Sequence, residues 1–253
     1  MSNNTVKIIF LGTNGWYDTS TGNTTCVFVE TKDYYIIFDA GNGFYKIDRY
    51  IKDPKKPIYL FLSHFHLDHI IGLHILNKFK FSQGIKIYGQ PGTKKILDKI
   101  IAVPYTAPLE TLPYKVEIKE LAEGIHKIPF PVTCRFLIHA SPCFGHRIEI
   151  DGKIISYCAD TGVCKNLKKL ARNADLLIAE CSLKPGERFE NWPHLNPEEA
   201  AKIGEEAGAK NLILIHFAAD KYLDLKSRVK AQQEARKIFK NTIAAFDDME
   251  IKI

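Results

Sequence analysis

Three histidines and an aspartate crowd the end of one apolar run. The run is IYLFLSHFHLDHIIG, Ile58 to Gly72, and it spends His64, His66 and His69 of the chain's nine histidines within six positions, with Asp68 between them. In an extended segment alternate residues share a side, so His64 and His66 can grip one ion together. Asp68 and His69 are adjacent at the turn into a helix, point elsewhere, and can serve a second ion. Other apolar runs stop in the same manner: IIFD at Asp39, FLIH at His139, IISYCAD at Asp160, LLIAE at Glu180 and LILIH at His216. In open α/β sheets ligands gather in the crevice beyond the strand ends, so these endings predict one cluster at one edge. His139 completes the first ion site and His216 the second, while Asp160 can bridge both with its two oxygens. Each ion then keeps one or two open positions, the mark of a catalytic zinc site. Imidazoles with carboxylates suit two Zn²⁺, with Mn²⁺ or Fe²⁺ as alternatives. Two such ions, about 3.5–4 Å apart, hold a bridging hydroxide at neutral pH, and hydrolysis is the natural reaction. Asp39 is a poorer ligand and is expected to orient a histidine through its other ring nitrogen.

The elements that must carry these groups are written in the periodicity. VKIIFLG, TTCVFVE and YYIIFDAG are apolar runs broken by Gly and Asn turns, which predicts an antiparallel meander. Later runs alternate with helical patterns near 69–78, 92–103, 163–172 and 225–238, and PHLNPEEAAKIGEEAGAKN holds a further helix. There Asn196 caps, Pro197 takes the first turn, Glu198 and Glu199 favour the positive end of the dipole, and Gly208 marks the stop. Strands alternating with helices read as α/β in a single domain over residues 1–253. The proline-bearing stretch VPYTAPLETLPYK is expected as a loop over one face.

Composition bounds the setting. The 253 residues are 45% hydrophobic and 25% charged, ordinary for a globular chain. The apolar runs are far shorter than the roughly 20 residues that span a bilayer, so no membrane partner is expected. The amino terminus MSNNTVKIIFLGTNG is too weakly apolar for a secretory signal, and a cytoplasmic location is expected. Six scattered cysteines lack CxxC spacing and read as buried free thiols. The formal charge of +6 favours anionic partners without naming a substrate. KNLKKLAR and KSRVKAQQEARKIFKN, where basic residues concentrate, read as solvated helix faces. His74, His126 and His146 have no second feature beside them and read as structural.

SHFHLDH resembles the HxHxDH signature of the metallo-β-lactamase fold superfamily. FDAGNG, the CADTG around Asp160 and the LILIHF around His216 stand in the order of that family's other motifs. The resemblance covers nearly all of residues 6–253 and implies a four-layer αββα sandwich, with a dinuclear metal site in its crevice. Within the superfamily, HASPCFGHRIEIDGKIISYCADTG and ADLLIAECSL with HLNPEEAA look most like the ribonuclease Z and small-phosphodiesterase branch. That likeness implies His194 as proton donor to the leaving oxygen with Glu180 assisting, so the catalytic set is Asp68, His194 and Glu180. The chain departs from the ribonuclease pattern in three ways. Only Asp151 and Gly152 separate GHRIEI from KIISY, where most ribonuclease Z enzymes carry a long arm for transfer RNA. His146 stands where that pattern has tyrosine before Arg147, and DAGNG and HFHLDH replace its DCGEG-like and HxHGDH forms. The expectation is a phosphodiesterase of small or cyclic nucleotides, and a small anionic substrate, nucleotide or RNA, is the partner this resemblance implies. Alternatives are a carbonyl hydrolase (lactonase or thioesterase), an arm-less tRNA 3′-processing endonuclease, a mononuclear iron oxygenase, or a binding protein on a dead hydrolase fold. A homodimer is left open.

Overall fold

A computed structural model describes residues 5–189 and 191–253 of the chain. The first four positions of the amino-terminal stretch read above for a secretory signal lie outside the described residues. The first half supplies β1 (Lys7–Gly12), β2 (Asn14–Gly15), β3 (Cys26–Glu30), β4 (Tyr35–Phe38), β5 (Ile58–Phe61), β6 (Ile85–Gly89) and β7 (Val116–Glu120). The second supplies β8 (Gly124–Ile128), β9 (Phe130–Leu137), β10 (Cys143–Ile150), β11 (Lys153–Cys158), β12 (Leu176–Glu180), β13 (Leu212–Ile215), β14 (Phe217–Ala218), β15 (Thr242–Ala244) and β16 (Met249–Lys252). Two seven-stranded sheets result, ordered β16-β1-β3-β4-β5-β6-β7 and β15-β13-β12-β11-β10-β9-β8, and a small ladder pairs β14 with β2. In the first sheet β1, β3 and β4 form the expected antiparallel meander, after which β4 to β7 pair in parallel. The second sheet mirrors this, antiparallel over β8 to β11 and parallel from β11 to β15.

Alternation along each strand sends side chains to two different cores. Between the sheets, Phe38, Phe61, Tyr88, Phe144 and Tyr157 pack into one apolar layer. The opposite face of the first sheet buries Phe28, Ile37 and Leu60 against Phe44, Leu73 and Leu97 from helical segments. The opposite face of the second buries Leu177 and Leu214 against Leu167, Ala200 and Ala231. Strands buried on both faces read as nearly unbroken apolar runs, which is why LILI and LLIA show no alternation. The molecule is therefore the αββα sandwich.

The helices are α1 (Leu67–Ile70), α2 (Thr93–Ile100), α3 (Lys165–Ala171), α4 (Pro197–Glu206) and α5 (Leu225–Arg236). At α4, Asn196 accepts from the Glu199 backbone N–H while Glu199 reaches back to the Asn196 N–H, a complete capping box. The helix expected near 69–78 is instead one α turn followed by a 3-10 segment, Ile71–Lys78. The cause is visible in the backbone: Ala40 N–H donates to His69 O at 2.7 Å and Gly72 N–H donates to Ala40 O at 2.8 Å. Groups that an α-helix would pair internally are taken by the neighbouring loop. A 3-10 segment at Asn42–Arg49 was not foreseen, nor were β7 and β8, whose half-exposed, lysine-interrupted patterns hide them. Residues 103–115 form turns and a 3-10 segment, Leu109–Thr111, as the irregular stretch predicted. All six cysteines are free, five of them buried. No helix among the described residues is long and apolar enough to cross a membrane.

Candidate metal centre

The ends of β4, β5, β9, β11, β12 and β13 lead into Asp39, His64, His139, Asp160, Glu180 and His216, and these meet at one edge of the sandwich. Three of the turning residues, Asp39, Asp160 and His216, have left-handed backbones with φ of 56°, 30° and 56°. Non-glycine residues there store strain that persists where the surroundings dictate a geometry. His64, His66, His139 and Asp160 form one group of converging donor atoms, and Asp68, His69 and His216 form another. Asp160 spans the two: Oδ2 lies 3.3 Å from His64 Nε2 and 3.5 Å from His139 Nε2, while Oδ1 lies 2.9 Å from His216 Nε2.

The donor spacings fit tetrahedral cations. Ligands about 2.0–2.2 Å from a centre form tetrahedron edges of about 3.3–3.6 Å. His139 Nε2 and His66 Nδ1 stand 3.3 Å apart, His69 Nε2 and His216 Nε2 stand 3.1 Å apart, and Asp68 Oδ2 lies 3.3 Å from His216 and 3.5 Å from His69. Two buried atoms aimed into the group, His64 Nε2 and Asp160 Oδ1, make no well-aligned hydrogen bond despite these close approaches. Most buried polar atoms in folded proteins are satisfied, and two orphans aimed into one group of ligand-type atoms point to an ion.

The far sides of the rings are tied down. His64 Nδ1 donates to Ser63 Oγ at 3.0 Å, His69 Nδ1 to Asp39 Oδ2 at 2.7 Å, and His216 Nδ1 to Ser182 Oγ at 3.0 Å. Each bond fixes a tautomer whose Nε2 lone pair faces the cluster. Asp39 does orient a histidine, as its sequence setting suggested, and is itself held by Ser63 and by the Tyr157 hydroxyl at 2.7 Å. Burial opposes every charge here; it prevails at His64 and His139, while the carboxylates prevail at His69 and His216. Against desolvation, Asp160 and Asp68 push His216 up to about 10, and Asp68, Asp160 and Asp39 hold His69 well above its usual range. Burial pushes His139 down to about 4 despite Asp160. A site with this appetite for positive charge accepts protons when cations are lacking.

Glu180 and His194 adjoin this centre. Glu180 is fully buried and accepts from the backbone N–H groups of Thr161, Ser182 and Leu195. His194 Nδ1 donates to its two oxygens at 2.8 and 3.0 Å. Above the cluster opens a cavity of about 870 Å³, within the range of small-ligand sites, walled by Trp16, Leu67, Leu183, Phe189 and Trp192.

A family described as "Beta-lactamase superfamily domain" matches residues 34–217. The chain belongs to it. Ribonuclease Z of Bacillus licheniformis is 29% identical over 98% of this chain and 99% of its own length. The metallo-beta-lactamase fold protein YhfI from Bacillus subtilis superposes with a TM-score of 0.83 at 24% identity, covering 99% of this chain and 100% of that one. The short form of human tRNase Z superposes at 0.73 with 24% identity, covering 97% and 98%. As a metallo-β-lactamase fold enzyme the chain is a metal-dependent hydrolase, and the family implies a divalent metal centre. The alignment to the Bacillus licheniformis enzyme runs over 310 positions against 253 residues here, so that relative carries segments with no counterpart in this chain. In this chain the β10–β11 hairpin is closed by Asp151 and Gly152 alone, with φ of 51° and 74°. A two-residue turn with both central residues left-handed is the tightest hairpin closure, and glycine adopts that backbone without penalty.

All nine residues singled out from the sequence, His64, His66, Asp68, His69, His139, Asp160, Glu180, His194 and His216, lie within this one site. His74, His126 and His146 lie outside it, each bonded to a backbone carbonyl. Sequence reasoning missed Ser63, Tyr157 and Ser182, which lie beside motif residues without being part of a ligand pattern, and Trp16 and Trp192, for which the sequence offers no signal.

Proposed function

We propose that the chain is a divalent-metal phosphodiesterase acting on small or cyclic nucleotides, with His64, His66, His139 and Asp160 holding one zinc ion and Asp68, His69, His216 and Asp160 the other. The observation that carries the reading is the His194–Glu180 pair beside this double cluster. When bound, the two ions would supply water activation at neutral pH and neutralise charge developing at phosphorus. Burial disfavours a charged His194, but Glu180 overrides it and raises the affinity of the ring for its proton. With Nδ1 committed to Glu180, His194 presents Nε2–H to the cavity as a general acid for the departing alkoxide oxygen. A phosphodiester needs that proton more than a lactone or thioester does. The short β10–β11 turn supports a small substrate over a folded RNA. The two sheets share one core and the site draws on both, which supports reading residues 1–253 as a single domain.

The test is turnover of bis(p-nitrophenyl) phosphate by zinc- or manganese-loaded protein, with Asp160→Asn and His194→Ala alongside. Turnover lost in Asp160→Asn, together with a His194→Ala loss that is much larger for a dinucleotide with an alkoxide leaving group than for bis(p-nitrophenyl) phosphate, upholds the reading, and no turnover by fully metallated wild-type protein overturns it. A second reading, RNA 3′-processing without the arm, is favoured by the relatives named Ribonuclease Z. Cleavage of a 3′-extended transfer RNA with kcat/KM above that for small diesters would make it the better one.

A further inference from the structure

Both tryptophans of the chain line the one cavity over the metal centre. Trp16 is 69% exposed and Trp192 55%, with Phe189 beside them at 51%. Tryptophan is on average a highly buried residue, and large aromatic surfaces left in water forgo the burial that stabilises most folds. Here the rest of the molecule holds one of them out deliberately. Trp16 has φ of 75°, an outlier for so bulky a residue, and its N–H donates to Asp68 Oδ2 at 2.7 Å. Gly15 before it lies so close to His216 that a side chain there would overlap the imidazole ring.

The loop carrying Trp16 rests on a buried polar network built from residues other than the metal ligands. Arg228 of α5, 2% exposed, donates to Asn14 Oδ1, to Thr13 Oγ1 at 2.7 Å and to Thr21 Oγ1 at 3.2 Å. Asp247 accepts from Thr13 Oγ1 at 2.7 Å, from Asn23 N–H at 2.9 Å and from the buried Lys46 Nζ at 2.9 Å. Asn14 Nδ2 in turn donates to Tyr17 O at 3.2 Å and to Gly22 O at 3.0 Å. Such a dense buried network rigidifies what it touches, although Arg228 Nε is left without a partner, and what it touches ends in an aromatic ring presented to the cavity. Trp192 is placed by its own neighbour, its ring centroid 5.7 Å from that of His194.

We infer that Trp16 and Trp192, flanked by Phe189, form the platform on which a nucleobase of the substrate stacks, and so determine specificity. The inference rests on the phosphodiesterase reading above and names the part of the diester that is recognised. Flat π-faces suit a planar base better than a flexible acyl chain, and stacking tolerates any base, so discrimination falls between nucleoside and non-nucleoside diesters. Arg228 acts as a positioning residue for Trp16.

Two readouts separate this inference from the activity it rests on. In zinc-loaded protein, thymidine 5′-(p-nitrophenyl phosphate) is compared with methyl p-nitrophenyl phosphate, which shares the leaving group and lacks the base. Trp16→Ala and Trp192→Ala are expected to raise KM for the thymidine diester about tenfold each, the scale of one lost stack, with kcat within threefold and KM for the methyl diester unchanged. Trp16→Phe is expected to restore most of the loss. Equal effects on both diesters, or none, overturn the inference. Independently of turnover, tryptophan emission reports only on this cavity mouth. Adenosine monophosphate should quench it and ribose 5-phosphate should not, and the quench should persist even if no diester is hydrolysed. Absence of that quench overturns the platform, as does a blue shift with phosphatidylcholine vesicles that nucleotide fails to compete.

Discussion

Asp160 faces His64, His69, His139 and His216 at once, so its loss should be felt by both ions. Asp160→Asn is expected to lower bound metal below one equivalent per chain and turnover by more than about 100-fold, checked by elemental analysis and assay of the same sample. Tyr157→Phe removes one of the donors that hold Asp39, and through it His69. A loss of metal affinity of about tenfold, measured by chelator competition, is expected without unfolding. His194 gives a prediction in pH. Its proton affinity is raised by Glu180, and a general acid must be protonated, so kcat should fall on the alkaline side as pH passes the raised value. His194→Ala should abolish that limb. His146 behaves in the opposite sense: burial pushes it down to about 4, while its Nε2 donates to Leu62 O at 3.1 Å. Between pH 6.5 and about 4 the unfolded chain binds a proton that the folded chain refuses, so stability falls with pH across that window by about 3 kcal/mol. His146→Phe should flatten that slope in urea titrations at pH 7 and pH 5, at the cost of an unsatisfied Leu62 carbonyl.

At the scale of elements, α4 shows why local sequence was enough in some places. Asn196, Pro197 and Glu199 act within one turn of chain, so the start of the helix is decided by neighbours in sequence. Asn196→Ala should destabilise the protein by about 1 kcal/mol in denaturant titration, with unaltered metal content. The segment after His69 shows where local sequence was insufficient. Its apolar spacing suits an α-helix, but Ala40, thirty residues earlier, takes the backbone groups the helix needs and leaves a 3-10 path. The edge strands β7 and β8 escaped for a related reason. Their outer faces meet solvent, so lysine and glutamate break the apolar pattern that marks the inner strands.

Across the whole molecule, the centre draws ligands from both halves of the chain, which also meet through an apolar core and through polar links such as His146 to Leu62 O and Arg228 to Thr13. Asp39, His64, His66, Asp68 and His69 come from the first sheet, and His139, Asp160 and His216 from the second. Cations bound between them favour the folded state by mass action, so exhaustive chelation should lower Tm by several degrees in calorimetry, and added zinc should restore it. Without cations His216 is pushed up to about 10 and retains its proton at neutral pH. A metal ligand must be neutral imidazole, so zinc binding at pH 7 should release protons and weaken as pH falls. Calorimetric titration in two buffers of different ionisation enthalpy would check this.

The sequence by itself determined the identity of the candidate ligands, because runs that must be buried can end in histidine and aspartate only where the chain leaves the core. It determined the α/β class too, from apolar runs alternating with helical patterns, while the four layers were implied by the resemblance to the metallo-β-lactamase fold. Only the tertiary structure decided how Asp160 divides its two oxygens, which hydroxyls lock the imidazole tautomers, and that Trp16 and Trp192 share one cavity. Those relations join residues far apart in the chain through side-chain direction and left-handed turns. Neither is encoded in the spacing of residue types along a strand.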